Sequence, residues 1–187
     1  MNTRKWNLWN AMWVMPLILL TLPVMAQAQT VSVTFDAEGG SVPIPPVTNV
    51  TLDSPYGQLA TTARSGYTFA GWWTEAGGTG TLISAGSIVN NSTNHALFAK
   101  WTVNSYTLTF EPRGGETPSP ISKIVTYDLP YGTLATTVRP GYTFAGWWTE
   151  PGGAGAMITT DTVVKITADT MLYAKWTANS YTVTFDG

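Results

Sequence analysis

Tyr67-Thr68-Phe69-Ala70-Gly71-Trp72-Trp73-Thr74-Glu75 returns 75 residues later as Tyr142-Thr143-Phe144-Ala145-Gly146-Trp147-Trp148-Thr149-Glu150. Working outward, Phe35, Phe110 and Phe185 keep the same spacing, and Leu97-Phe98-Ala99-Lys100-Trp101-Thr102 returns as Leu172-Tyr173-Ala174-Lys175-Trp176-Thr177. Aligned without a gap, residues 31–105 and 106–180 are identical at 39 of 75 positions. Segments this similar share one fold, so the chain reads as a tandem repeat. A third copy opens at Tyr181-Thr182-Val183-Thr184-Phe185-Asp186, just before Gly187. The expected organisation is a leader over 1–28, repeat one over 29–105, repeat two over 106–180 and the start of a third repeat over 181–187. Either 181–187 pairs onto the preceding repeat or it opens a further unit in a longer array; an unpaired apolar strand would be a sticky edge, which favours the longer array.

Within a unit, apolar residues alternate with period two, the mark of half-buried strands. Val31–Asp36 and Tyr106–Glu111 are predicted first strands, with Val31, Val33 and Phe35 on one face. Gly39-Gly40 and Gly114-Gly115 then supply turns that can use positive φ. Val47–Leu52 and Ile124–Tyr127 are predicted second strands, followed by turns at Pro55-Tyr56-Gly57 and Pro130-Tyr131-Gly132. Leu59–Arg64 is the one stretch compatible with a helical turn. Tyr67–Trp73 is a strong strand leading to a Gly77-Gly78 loop. Ile88–Val89 and Val163–Ile166 are weaker strands, and Leu97–Trp101 closes the unit. Only Thr102–Ser105 joins one unit to the next, which predicts an array with limited swing between neighbours. A unit this small needs its aromatic residues for core, since each buried ring removes roughly 150–250 Å² from water.

Composition narrows the function. Charged residues make up 11% of the chain, against roughly 25% in an average soluble protein. There is no Cys, which excludes disulfides and thiolate metal sites. His95 is the only histidine, so the three or four His, Cys or carboxylate ligands of a zinc site are not in prospect. A net charge of −2 argues against nucleic acid, whose binders need a basic face. Residues 1–28 have the form of a secretory signal peptide: Arg4 and Lys5, an apolar run from Ala11 to Val24, and the small-x-small site Ala26-Gln27-Ala28. The run is shorter than the about 20 apolar residues of a spanning helix and contains Pro16 and Pro23. No Cys follows it to carry a lipid. Membrane contact is therefore expected only during export, and the mature chain is expected to start at Gln29.

The Gly-Tyr-Thr-Phe-Ala-Gly-Trp-Trp run, the Leu-(Phe/Tyr)-Ala-Lys-Trp ending and the Asn-Ser-Tyr-Thr-(Leu/Val)-Thr-Phe that follows it resemble the internalin-type B repeat, or Listeria–Bacteroides repeat. The resemblance covers nearly all of 31–187. It departs at Trp73 and Trp148, where the family often has Tyr. It implies a small β-grasp-like (ubiquitin-like) module, β-rich with one mixed or antiparallel sheet and little helix. It also implies an exported cell-surface or envelope setting, a role in adhesion, spacing or partner binding, and no catalytic residues.

Candidate contact residues follow from the Trp pairs. Adjacent strand residues point to opposite faces, so one Trp of Trp72-Trp73 and one of Trp147-Trp148 should face the core and the other the second face. An outward Trp can anchor a partner or stack on a sugar; equally, both can be packed. Trp72, Trp73, Trp147, Trp148, Tyr67 and Tyr142 are therefore the candidate contacts with an unidentified surface protein or glycan. The recurring acids Asp36/Glu111, Asp53/Asp128 and Glu75/Glu150 read as solvated turn residues rather than a glycosidase pair in a cleft. A repeated calcium site at Asp36 and Glu38 is argued against by Arg113, which stands in place of Glu38 in the second copy. His95 reads as a loop residue, since Thr170 replaces it. Lys100 and Lys175 read as cation–π covers for the adjacent Trp101 and Trp176. No nucleophile elbow or phosphate loop is present. The expectation is a non-catalytic module with no cofactor, whose alternative is a carbohydrate-binding module using an outward Trp.

Overall fold

The structure is a computed structural model and describes residues 27–187. Most of the leader expected over 1–28 lies outside these residues. Each repeat forms one five-stranded mixed sheet. In repeat one the strands are β1 (Thr30–Asp36), β2 (Val47–Thr51), β3 (Tyr67–Glu75), β4 (Thr79–Ile83) and β5 (His95–Val103). In repeat two they are β6 (Ser105–Glu111), β7 (Ser122–Thr126), β8 (Tyr142–Trp148), β9 (Met157–Ile158) and β10 (Thr170–Ala178). The orders are β2-β1-β5-β3-β4 and β7-β6-β10-β8-β9. The first and last strands of each unit lie side by side and parallel at the centre, and the other neighbours are antiparallel. A parallel pair cannot be closed by a tight turn, so the chain between β1 and β5 must cross over to bring the two together.

Among the described residues, helix is confined to the 3₁₀ turns Ala76–Gly78 and Pro151–Gly153. The helical turn expected over Leu59–Arg64 is absent. Its backbone is engaged across the chain instead: the Ile44 and Thr61 amides each donate to the other residue's carbonyl at 3.0 Å. In repeat two Ser119 and Thr136 form the same bridge. The weak strands expected at Ile88–Val89 and Val163–Ile166 reduce to single bridges, Pro55 to Ile88 and Pro130 to Val163. Residues 181–187 carry the first-strand pattern but join no sheet, and Phe185 is exposed. In the two complete repeats the first strand sits between the second and last strands of its own unit.

The core lies on one face of each sheet. In repeat one it comprises Val31, Val33, Phe35, Val50, Trp72, Ile83, Leu97 and Ala99 from the strands, closed over by Tyr56, Ala60 and Val89 from the irregular chain. Covering a sheet with loop in place of helix works only if the loop's buried polar groups are paired. They are: Tyr56 N donates to the Ser87 carbonyl, Val89 N to Ser54, and Asp53 N to Val89, each at 2.9 Å. No buried side-chain nitrogen or oxygen lacks a partner among the described residues.

Trp72 and Trp147 are 2% and 1% exposed. Each indole N–H donates to a loop carbonyl at 2.8 Å, Ala60 in repeat one and Ala135 in repeat two. A register shift between Phe69 and Trp72 in the β3–β5 pairing turns these two residues to one side. Strict alternation would have separated them. The result is a continuous edge-to-face series, Phe35–Trp72 at 4.8 Å, Phe69–Trp72 at 5.4 Å and Phe69–Trp101 at 5.4 Å. Repeat two reproduces it with Phe110, Trp147, Phe144 and Trp176.

Trp72→Ala is expected to cost about 3–5 kcal/mol, enough to unfold repeat one. Urea denaturation followed by the fluorescence of the remaining tryptophans should show one of two repeats lost. Wild-type-like unfolding of both would refute the central role of this residue.

Candidate functional site: the uncovered sheet face and the joint between repeats

The face of each sheet away from the core has no layer over it. Strand pairing sets a row across it: Leu82 on β4, Trp73 on β3, Phe98 on β5 and Asp36 on β1 are successive cross-strand partners. Repeat two has Met157, Trp148, Tyr173 and Glu111 at the same places. Leu82 and Met157 are 49% and 48% exposed, and the aromatic members of both rows are half-buried. Each row is thus an apolar ribbon ending in a carboxylate.

The members of each Trp pair diverge as adjacent strand residues must. Trp72 and Trp147 are core and out of reach of any ligand, whereas Trp73 and Trp148 belong to the rows. The cations sit on different rings from those expected. Lys100 Nζ lies 4.4 Å from the Trp73 ring centroid and Lys175 Nζ 4.6 Å from that of Trp148. Lys100 and Trp101 are strand neighbours and point to opposite faces, so the lysine can reach only the row. Its ammonium also donates to the Gly78 carbonyl at 3.1 Å. Trp101 faces the core side and donates its N–H to the Ala37 carbonyl at 2.8 Å. Phe98 and Tyr173 completed the rows without having been singled out, although the alternation through Leu97 and Ala99 already assigns them to this face.

Three of the six recurring acids hold turns. Asp36 accepts the Glu38 amide at 2.9 Å, Glu111 the Arg113 amide at 3.2 Å, and Glu75 the Thr79 hydroxyl at 3.1 Å. Among the described residues no group of three or more His, Asp or Glu is placed to hold a metal. His95 is the first residue of β5 rather than a loop residue. Its Nδ1 lies 2.8 Å from the Thr93 carbonyl and its Nε2 2.8 Å from the Tyr56 hydroxyl. A carbonyl only accepts, so Nδ1 carries the proton and Nε2 accepts from Tyr56. A hollow of about 260 Å³ opens beside this pair.

Tyr67 and Tyr142 have different surroundings despite identical sequence. Tyr67 lies at the joint between repeats, where its hydroxyl donates to Asp128 Oδ2 at 2.9 Å and its ring meets Tyr127 edge-on at 5.9 Å. Lys165 pairs with the other Asp128 oxygen and overhangs Tyr127. The link itself is short. Asn104 is the one residue between β5 and β6, and it donates its amide to Gly66 and accepts that of Tyr127. Hydrogen bonds from Lys165 and Tyr67 hold the Asp128 carboxyl below its usual range. The same carboxylate raises Tyr67 and Lys165. Tyr142, by contrast, is 37% exposed and carries only Arg139 over its ring.

Comparison with known proteins places this architecture. The model of the Listeria–Bacteroides repeat domain matches residues 32–100 and again 106–175. The chain belongs to this family. Among its relatives, a putative Gly-rich membrane protein of Evansella cellulosilytica is 34% identical over 131 residues, which are 67% of this chain and 14% of that protein. Internalin H of Listeria monocytogenes is 29% identical over 145 residues, 78% of this chain and 25% of the relative. The chain thus spans a quarter or less of these relatives. Among the described residues no helix is long and apolar enough to cross a membrane.

The joint should respond to pH in a defined direction. The folded Asp128 pKa is depressed, so its contribution is full above the unfolded value and is lost as pH falls through the folded one. Lys165 and Tyr67 are raised, so theirs is full below their unfolded values and is lost as pH rises through the folded ones. Residual dipolar couplings should therefore report a fixed orientation of the two repeats at neutral pH and averaging in strong acid. In Asp128→Asn the acid-induced change should vanish; its persistence would show that another group governs the joint.

Proposed function

We propose that this chain is a non-catalytic, exported module of the cell surface or envelope, in which each β-grasp-like repeat presents one apolar row to a partner and the joint fixes the spacing between rows. The observation that carries the reading is the duplication of the row: Leu82–Trp73–Phe98–Asp36 recurs as Met157–Trp148–Tyr173–Glu111. Exposed aromatic residues ringed by polar ones are the usual centre of an interface. Two equivalent weak sites on one chain gain by effective concentration. The β-grasp-like description is supported by the central parallel pairing of first and last strands. The envelope setting is supported by relatives named as membrane proteins and by Internalin H, together with the expected leader. The non-catalytic reading is supported by the use of Asp36, Glu111 and Glu75 in turns.

A protein partner is favoured over a glycan. Sugar recognition by stacking needs a free indole face, and on Trp73 and Trp148 a lysine ammonium occupies it. The carbohydrate reading draws its support from the carboxylate at the end of each row, a ready acceptor for sugar hydroxyls.

The two readings separate in one experiment. Purified protein, wild type and Trp73→Ala/Trp148→Ala, is titrated by tryptophan fluorescence with surface polysaccharides and, in parallel, with extracts of surface protein fractionated by size. Saturable binding to a protein fraction, weakened at least tenfold in the double variant while Trp72 and Trp147 keep their buried emission, is the expected result. A saturable shift with a defined polysaccharide would favour the glycan reading. Binding unaffected by the double variant would remove the rows from the mechanism.

A further inference from the structure

The joint between repeats has two halves. Repeat one contributes a socket of Arg64, Gly66, Tyr67 and Asn104, and repeat two a plug, the turn Tyr127-Asp128 with Lys165 beside it. Asp128 has φ 63°, a left-handed conformation that Asp tolerates better than most residues, and it accepts the Tyr67 hydroxyl. Gly66 is needed because any Cβ there would run into the Tyr127 ring.

The socket is present a second time at the far end of repeat two, bond for bond. Arg139 lies 3.7 Å over Tyr142, as Arg64 lies 3.9 Å over Tyr67. Thr143 donates to the Asn179 side-chain oxygen at 2.7 Å, as Thr68 does to Asn104 at 2.6 Å. The Asn179 amide donates to Gly141 and the Asn104 amide to Gly66, both at 2.9 Å. Asn179 Nδ2 reaches the Tyr181 hydroxyl at 3.3 Å, as Asn104 Nδ2 reaches that of Tyr106. Pro140 stands in place of Ser65 and Ala178 in place of Val103, and the receiving surface is open where the first one is filled. A Cβ on Gly141 would meet nothing within 4 Å, and Tyr142 is exposed.

We propose that Arg139, Gly141, Tyr142 and Asn179 form a docking socket for the turn of a further copy of this repeat, one that carries an aromatic–Asp pair and a neighbouring lysine and continues from Tyr181. Continuity with the existing joint supports this, as does charge: Arg64 attracts Asp128 in the existing joint, and Arg139 holds the same position over Tyr142. A second copy of the whole chain fits less well. The turn at the front of repeat one keeps Asp53 at φ 60° but has Leu52 in place of Tyr127 and Asn90 in place of Lys165. It therefore lacks the ring that fills the space over the glycine and the cation that holds the carboxylate. The socket is duplicated while the plug is not, so docking runs in one direction and does not propagate chain to chain.

The test extends the full chain past Gly187 with a second copy of residues 113–180, which completes a third unit of the repeat-two type. Spin labels at exposed threonines report the distance distribution between units two and three, with the distribution between units one and two as reference. The expected result is an equally narrow distribution that broadens in Tyr142→Ala. Tyr67→Ala should broaden only the joint between units one and two. A broad distribution in the unsubstituted extended chain, or a narrow one that survives Tyr142→Ala, would overturn the proposal. Sedimentation of the 187-residue chain serves as the second measurement. Concentration-dependent association abolished by Tyr142→Ala would overturn the assigned occupant in favour of a second copy; a monomer at all concentrations is the expected result.

Discussion

The indole N–H of Trp72, bonded to the Ala60 carbonyl, is the contact on which each unit turns. A single sheet has two faces, and in each unit of about 75 residues neither face carries an α-helix or a second sheet. Here one face is closed by irregular chain. Such a layer brings its own peptide groups into the core, and each unpaired one would cost roughly 1–3 kcal/mol. Trp72 supplies both the apolar bulk that the layer packs against and the donor that one of its carbonyls requires. The second copy keeps the arrangement intact with Trp147 and Ala135.

Because one face takes all the cover, the other is left without a layer over it. The outer row is consequently not an addition to the fold but the remainder of it. Trp73 follows Trp72 by one residue and must point away from the core. Phe98 between Leu97 and Ala99, and Tyr173 between Leu172 and Ala174, are turned outward by the same alternation. Lys100 and Lys175 then cover part of the Trp73 and Trp148 rings. A lysine over an indole shields it from water and supplies charge near an apolar surface.

Much of this is legible in the sequence, and the exceptions have physical causes. The strands around Tyr67, Leu97 and Val31 follow from alternation, and the divergence of each Trp pair follows with them. Leu59–Arg64 was open to a helical turn because local pattern cannot register a partner 17 residues away: Ile44, whose backbone claims Thr61. Phe69 and Trp72 share a side through a bulge, which period two cannot reveal. Lys100 was paired with its chain neighbour Trp101, when strand geometry sends the two apart and brings the lysine to Trp73 across the sheet. Asp128 looked like one more turn acid, and its ties to Tyr67 and Lys165 span 61 and 37 residues.

The two copies also show what identity does not determine. Tyr67 and Tyr142 sit in identical nine-residue runs, yet one is bound at a joint and the other faces solvent. Their difference arises from what lies opposite. The shared positions include Trp72, Leu97, Val89 and Tyr56, which belong to the core of each unit. The substituted positions include Leu52/Tyr127, Asn90/Lys165 and His95/Thr170, and the first two pairs decide whether a unit can meet the one before it. Repetition thus preserves the fold and the socket, while variation at the front turn specifies order along the array. A chain built this way carries its neighbour preferences at a few surface residues, where they can change without disturbing the core.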